Sequence, residues 1–142
     1  MKQYKIGYTQ GVFDMFHVGH LNLLQKAAEC CEKLIVGVNA DELVYAYKNH
    51  RPVIDEADRL AIVSGLKCVA EAHIVHTLDK EEIWREYPFD AILIGDDWKG
   101  NPRWEETEKV MAQHGVDVVY LPYTQGISST QLRERIMRIS DK

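Results

Sequence analysis

Two histidines, His17 and His20, lie three residues apart with Gly19 between them. If His20 lies at the start of a helix, both imidazoles can face one ligand, and Gly19 lets the backbone approach that ligand closely. Because a helix N-terminus attracts phosphate, the imidazoles could donate hydrogen bonds to triphosphate oxygens as charge develops there. Two alternatives are a pair of surface histidines near a helix cap and a zinc pair, although no cysteine or third histidine stands at a partnering distance.

A run of hydroxyl side chains, Ser128, Ser129 and Thr130, precedes an amphipathic stretch near the other end of the chain. Hydroxyl and N–H groups at a helix start could hold phosphate oxygens. Arg133 follows by three residues and could reach the same phosphates after one helical turn. The alternative is a plain helix cap provided by Ser128 or Ser129, with Arg133 as a solvated surface charge.

The segment 95–100 reads GDDWKG and follows a short apolar run. Asp96 and Asp97 fit either a solvated turn or a magnesium site. Trp98 fits either a lid or a surface on which a base stacks. The composition of this segment therefore predicts a ligand-binding loop without naming the ligand.

These three segments need a scaffold that brings them together, and apolar runs alternating with amphipathic stretches predict one. We expect strands at 4–8, 34–38, 72–75, 91–94 and 116–121 and helices at 19–30, 56–66, 80–86, 102–114 and 128–138, with 41–55 irregular. Strands separated by helices predict an α/β fold, a Rossmann-like doubly wound parallel five-stranded sheet in a single domain over residues 1–142. Ligands of such sheets bind beyond the carboxyl ends of the strands, where all three segments fall.

Composition excludes several functions. A formal net charge of -5 argues against general nucleic-acid binding, which uses a basic face. Cys30, Cys31 and Cys68 are odd in number and lack a zinc spacing, so we expect free thiols in a reducing compartment. The N-terminus lacks the apolar stretch of a signal peptide, and no run approaches the ~18 apolar residues of a membrane span. We expect a cytoplasmic protein without nucleic-acid or membrane partners.

The sequence HVGH at 17–20, preceded by GVFD, resembles the His-x-Gly-His signature of the nucleotidyltransferase superfamily. GISST at 126–130 resembles the second signature of that superfamily, Ile-Ser-Ser/Thr-Thr. GDDWKG at 95–100 is similar to the Gly-Asp-Asp-Trp-x-Gly stretch of the glycerol-3-phosphate cytidylyltransferases, and this likeness spans nearly the whole chain. The resemblance implies transfer of CMP from CTP to a phosphorylated small alcohol, with Mg²⁺ bound mainly through the nucleotide phosphates, in a homodimer.

The resemblance also implies residue roles. Catalysis is assigned to His17, His20 and Lys48. Nucleotide contacts are assigned to residues around the signatures and the GDDW stretch: Gly11, Val12, Phe13, Asp14, Gly19, Gly95, Asp97, Tyr123, Thr124, Gly126, Ile127, Ser128, Ser129, Thr130 and Arg133. Acceptor contacts are assigned to Arg59, Lys80, Asp97 and Trp98. Taken alone, Lys48, Arg59 and Lys80 would each fit a surface charge, and Asp14 would fit a turn aspartate.

The chain departs from the cytidylyltransferase pattern at three positions. Tyr123 stands where those enzymes carry an arginine, and Lys67 and Ala70 stand near an arginine and an aspartate of the family. Arginine binds phosphate or carboxylate bidentately, and tyrosine or lysine cannot replace it in this role. These departures therefore leave the identity of the base and of the acceptor undecided. The alternatives are an adenylyltransferase acting on FMN, pantetheine phosphate or a heptose phosphate, a non-catalytic nucleotide-binding module, and an electron-transfer flavodoxin-like domain.

Overall fold

The computed structural model describes residues 2–122 and 127–140. Its strands are β1 (Tyr4–Gly11), β2 (Cys31–Asn39), β3 (Glu71–Val75), β4 (Ala91–Gly95) and β5 (Asp117–Leu121). Its helices are α1 (Val18–Glu29), α2 (Asp41–Lys48), α3 (Glu56–Ser64), α4 (Lys80–Glu86), α5 (Pro102–Ala112) and α6 (Ser129–Ser140), with a single 3₁₀ turn at Asp96–Trp98.

All five strands pair in parallel, in the order β3-β2-β1-β4-β5. The chain therefore runs outward from β1 to β3, returns to β4 beside β1, and continues to β5. The point at which this order reverses lies between β1 and β4. Doubly wound sheets open a crevice there, beyond the carboxyl ends of the strands.

Alternating side chains of the strands pack into two hydrophobic cores, one on each face of the sheet. Leu34, Val36 and Val38 of β2 point to the core covered by α1 and α3. Ile92 and Ile94 of β4 point to the other core, which α4 and α5 cover. Strands buried on both faces read as continuous apolar runs, which is why the sequence predicted them.

Local capping chemistry sets where several helices begin. Asp55 accepts a hydrogen bond from Asp58 N at the start of α3, and Asp79 does so from Glu81 N and Glu82 N at the start of α4. α5 has Asn101 as its cap, with Pro102 following in its first turn. Such caps satisfy N–H groups that have no partner within the helix.

The predicted fold class is confirmed: a doubly wound parallel sheet with helices on both faces. The interpretation of 41–55 as irregular is wrong for residues 41–48, which form α2, and is confirmed for residues 49–55, which form neither helix nor strand. This helix is only eight residues long and follows Ala40, which provides no side-chain cap, so its sequence lacks the usual signal of a helix start. No helix in the described part of the chain has the length and apolar character that crossing a bilayer requires.

Candidate active site

The loop between β1 and α1 is anchored by the carboxylate of Asp14, which is only 1% exposed. It accepts hydrogen bonds from Val53 N at 2.8 Å, Ile54 N at 2.9 Å and Arg133 Nη2 at 3.0 Å. Burial opposes ionisation of this carboxyl, but the three hydrogen bonds and the Arg133 charge outweigh burial and lower the pKa of Asp14. Asp14 thus acts as a structural anchor between three segments of the chain.

The residues on either side of this anchor have left-handed backbone conformations. Phe13 has φ 55° and Met15 has φ 49°, and residues other than glycine rarely adopt this backbone region. Such strain persists only where surrounding contacts over-determine the conformation, and it clusters at functional sites. The bonds to Asp14, together with burial of Phe13 against His20 at 5.5 Å between ring centroids, supply those contacts.

The two signature segments converge in space. Ser129 Oγ donates a hydrogen bond of 2.6 Å to the backbone oxygen of Asp14, and Ser128 Oγ caps α6 by accepting from Gln131 N. A Cβ atom on Gly19 would lie 2.8 Å from His17 Cε1 and 3.3 Å from Ile127 Cγ2. Gly19 therefore leaves room for the His17 ring and for the second signature at once.

Both imidazoles are held by backbone N–H groups at the start of α1. His17 Nδ1 accepts from Gly19 N at 3.0 Å, and His20 Nδ1 accepts from His17 N at 3.2 Å, so the pair forms a capping box. A neutral imidazole that accepts at Nδ1 carries its proton on Nε2. Each histidine is thereby set to donate from Nε2, the group that a phosphate oxygen needs.

The electrostatics keep these rings neutral. They stack with centroids 3.8 Å apart, which disfavours two positive charges. Burial, then the charge of His17, lower the pKa of His20 to about 3, while Asp14 acts in the opposite direction. Burial also lowers the pKa of His17. His17 Nε2 is buried and has no hydrogen-bond partner among the described residues, which is costly unless a ligand supplies one.

Two adjoining cavities lie beyond the carboxyl ends of β1 and β4. The main cavity has a volume of about 380 Å³ and the smaller one about 170 Å³. Of the site residues predicted from the sequence, the main cavity is lined by Gly11, Val12, Phe13, Asp14, His20, Lys48, Lys80, Gly95, Trp98, Ser128, Ser129, Thr130 and Arg133. The smaller cavity adds His17, Gly19, Asp97 and Ile127.

The polar side chains that line the two adjoining cavities fall into two groups. The histidine end comprises His17, which lines the smaller cavity, with His20, Lys48, Ser129 and Arg133. Burial and the charge of Arg133 lower the pKa of Lys48, and Asp14 partly compensates, so these charges lie close together.

The lysine end comprises Lys80, Arg103 and Trp104, contributed by α4 and α5. Lys80 is 8% exposed, and its Nζ donates a hydrogen bond of 2.8 Å to Leu78 O. The main cavity therefore receives positive charge from two sets of helices, α2 and α6 for the first group and α4 and α5 for the second.

Arg59 is placed differently from its prediction as an acceptor-binding residue. Its side chain is fully buried, and it donates to Ile54 O at 2.8 Å, Val12 O at 2.7 Å, Asn39 O at 2.8 Å and Asp41 Oδ1 at 2.6 Å. Because its guanidinium is turned to protein acceptors and it lines neither cavity, Arg59 positions the loops beneath the site. The sequence could not distinguish a buried arginine from one that faces a ligand.

Nine of the described residues that line the main cavity were not predicted from the sequence: Thr9, Gln10, Leu23, Asn39, Tyr47, Leu78, Ile94, Arg103 and Trp104. A polar residue at the end of an apolar strand marks Asn39, and this signal was available. Arg103 lies in the first turn of α5, where the helix dipole disfavours a cation. An arginine at such an unfavourable position indicates a functional role, and the sequence already contained this signal.

Some predicted positions fall elsewhere. Tyr123, Thr124 and Gly126 lie outside the described residues. Lys67 and Ala70 precede β3, where Ala70 N donates to Leu34 O near the beginning of β2. Those two departures from the cytidylyltransferase pattern are therefore at the amino ends of the strands, opposite to the cavities.

Within residues 2–122 and 127–140, no cluster of three histidine, cysteine, aspartate or glutamate side chains could hold a metal ion. Asp14 lines the main cavity, but its carboxylate already accepts three hydrogen bonds. Its oxygens are therefore already occupied by protein donors.

A doubly wound sheet with neutral histidines, hydroxyls and cations converging beyond β1 and β4 is typical of a domain that binds a phosphate-bearing ligand. The chain belongs to the cytidylyltransferase-like family, whose model matches residues 8–135.

Proteins similar to this chain have different names. The chain is 34% identical to the bifunctional protein HldE of Geobacter metallireducens over 94% of its own length, but it spans only 27% of that relative. It is 28% identical to glycerol-3-phosphate cytidylyltransferase of Bacillus spizizenii, covering 89% of this chain and 92% of the relative. The crystal structure of a lipopolysaccharide core biosynthesis protein from Thermoplasma volcanium matches with a TM-score of 0.72 and 27% identity, covering 87% of this chain and 99% of that one.

Proposed function

We propose that the protein transfers CMP from CTP to the phosphate of a small polyhydroxy compound such as glycerol 3-phosphate, releasing pyrophosphate. The observation that carries this proposal is the buried Nε2 of His17, which lacks a partner in the described structure and lines the cavity on which both signature segments converge. A phosphate oxygen of a nucleotide would satisfy this donor.

In the proposed reaction an oxygen of the acceptor phosphate forms a bond to the α-phosphorus of the nucleotide. The bond from that phosphorus to the pyrophosphate oxygen breaks, and pyrophosphate leaves with the electron pair. Because a phosphate monoester is largely ionised at pH 7, no general base is needed. The protein contributes alignment of the reactants and neutralisation of charge.

Each group at the histidine end has a part in this mechanism. His17 and His20 would donate from Nε2 to oxygens whose charge grows in the transition state. Lys48 would place a positive charge on the α-phosphate from the side of α2, and Ser129 with Thr130 would hold the β,γ end. Mg²⁺ bound to the triphosphate would supply further charge neutralisation, consistent with the scarcity of free carboxylates in the main cavity.

The choice of CTP and glycerol 3-phosphate is supported by the family, named cytidylyltransferase-like, and by the near full-length match with glycerol-3-phosphate cytidylyltransferase. A second candidate acceptor is a sugar phosphate, with ATP as an alternative donor. The similarity to a lipopolysaccharide core biosynthesis protein favours this candidate, since lipopolysaccharide cores are built from sugars.

The test is pyrophosphate release measured for CTP and ATP with Mg²⁺ against glycerol 3-phosphate, ribitol 5-phosphate and hexose and heptose 1-phosphates. We expect release with CTP and a polyol phosphate. Release only with ATP and a sugar phosphate would replace the first candidate by the second. A nucleotide that binds without any release would identify a non-catalytic nucleotide-binding module.

A further inference from the structure

The lysine end of the main cavity brings two cations together. Lys80 is nearly buried, and its Nζ lies 5.2 Å from the centroid of the Trp104 ring. Arg103 follows Pro102 in the first turn of α5 and lines the main cavity together with a neighbouring cavity of about 290 Å³. Burial, then the positive charge of Arg103, lower the pKa of Lys80 to about 8. The charge of Arg103 therefore makes the protonated form of Lys80 less favourable.

No carboxylate in the described part of the chain forms a salt bridge with either cation. Asp79 is near enough to favour the charged form of Lys80, but its Oδ1 accepts the backbone N–H groups that begin α4. Glu81 pairs with His114 at 2.7 Å. Two adjacent cations without a matched countercharge are stabilised by an anion bound between them.

A hydrogen-bond relay ends beside these cations. Tyr8 Oη donates to Gln10 Oε1 at 2.8 Å, Gln10 Nε2 donates to Asn39 Oδ1 at 2.8 Å, and Asn39 Nδ2 donates to Tyr47 Oη at 3.1 Å. Since Tyr47 Oη accepts in this relay, its own proton is free to be donated. Tyr47 and Arg103 both line the main cavity, and the charge of Arg103 acts on the pKa of Tyr47.

We infer that Arg103, together with Lys80 and the hydroxyl of Tyr47, forms the subsite for the acceptor phosphate and that Arg103 selects phosphate monoesters. This inference rests on the proposed function. A monoester carries close to two negative charges at pH 7, which match the two cations, whereas a diester carries one. The planar guanidinium fits two phosphate oxygens at once. Arg103 thus takes the acceptor-binding role that was predicted for Arg59.

The kinetic test compares Arg103→Gln with the matched control Arg138→Gln, which removes an exposed arginine from the distant end of α6. Loss of a charge-assisted hydrogen bond predicts a rise in acceptor KM of about tenfold to a hundredfold. The KM for CTP should stay within about twofold of wild type. Arg103→Lys should recover part of the loss, and Tyr47→Phe, which removes one hydroxyl, should raise acceptor KM by a smaller factor. An unchanged acceptor KM in Arg103→Gln would overturn the inference while leaving the proposed function intact.

A second measurement needs no turnover. Isothermal titration of the protein without nucleotide, using glycerol 3-phosphate as probe and glycerol as the uncharged control, reports on the anion site alone. We expect binding of the phosphate ester to wild type and to Arg138→Gln, and weakened binding to Arg103→Gln. If no acceptor releases pyrophosphate but this Arg103-dependent binding persists, the proposed function fails and the anion site stands. Equal binding by wild type and Arg103→Gln would refute the site.

Discussion

The two ends of the main cavity handle buried charge in opposite ways. At the histidine end, the carboxylate of Asp14 has three protein donors, one of them Arg133, and the imidazoles are neutral because burial lowers their pKa. At the lysine end, Lys80 is nearly as buried but faces a like charge, Arg103, and donates to a single backbone carbonyl. At the first end the buried carboxylate is paired and the imidazoles are neutral, so that only a hydrogen-bond donor, His17 Nε2, lacks a partner among the described residues. At the second end two positive charges lack a matched countercharge.

This difference indicates a division of labour. Preorganised donors can stabilise a transition state without rearranging at the moment of reaction. The histidine end provides such donors on a loop that hydrogen bonds to Asp14 hold in place. An unneutralised pair of cations gains most when an anion arrives, which favours binding and selection of a substrate. Substitutions should therefore affect stability and turnover at the histidine end, but acceptor affinity at the lysine end.

The largest effect is expected from Asp14→Asn. The amide removes the charge that pairs with Arg133 and places a donor against backbone N–H groups. Breaking a buried, hydrogen-bonded charge pair should cost about 3 kcal/mol of unfolding free energy, measured by urea denaturation at pH 7. Because the folded pKa of Asp14 is lowered, the wild-type advantage is fully present above its ordinary pKa and is lost as the pH falls through the folded value.

Asp55→Asn is the matched control for this substitution, because it changes an exposed aspartate into another good helix cap. It should alter stability by less than about 0.5 kcal/mol. Equal losses in the two variants would show that Asp14 does not anchor the loop, and the contrast between the ends would fail.

A slightly smaller effect is expected on turnover from His17→Asn. Asparagine keeps a side-chain acceptor for Gly19 N but lacks the Nε2–H donor. We expect kcat to fall about a hundredfold, the scale of losing one oxyanion donor, while the thermal unfolding midpoint changes little. His50→Asn, at an exposed position, serves as the control. A fall in stability with near-normal kcat would make His17 a capping residue only.

The smallest effect is a pH dependence at the lysine end. With a pKa of about 8, Lys80 is protonated below that value and loses its charge as the pH rises through it. Acceptor KM should therefore increase about five- to tenfold between pH 7 and pH 9, following the fraction of protonated lysine. Arg103 and Asp79 are the charged groups that act on Lys80, and burial raises the pKa of Tyr47 above its ordinary value. The change is therefore assigned to Lys80.

Lys80→Arg provides the comparison, because arginine does not lose its charge over this pH range. Its acceptor KM should be flat from pH 7 to pH 9. The same rise in wild type and Lys80→Arg would assign the titration to another group and would remove Lys80 from the acceptor subsite.

Much of the fold could be predicted from the sequence because its signals are local. Residues 91–94 and 34–38 are apolar runs that only a strand covered on both faces explains, and Pro102 with Asn101 marks a helix start. α2 was not predicted because it is short and begins without a side-chain cap. β1 and β2 extend further than expected, with β1 reaching Gly11 and β2 reaching Asn39, because backbone pairing can include polar residues near the cavity.

The sequence by itself determined the parallel sheet, the three loops beyond the strand ends, and the histidine and hydroxyl residue types that suit a polyphosphate. Only the tertiary structure decided which cations face the cavity. Arg59 and Arg103 are the same residue type and each lies in the first half of a helix, yet one is enclosed by backbone carbonyls and Asp41 and the other lines the cavity. The direction of a side chain depends on packing between segments far apart in the chain, and this information is absent from any local pattern.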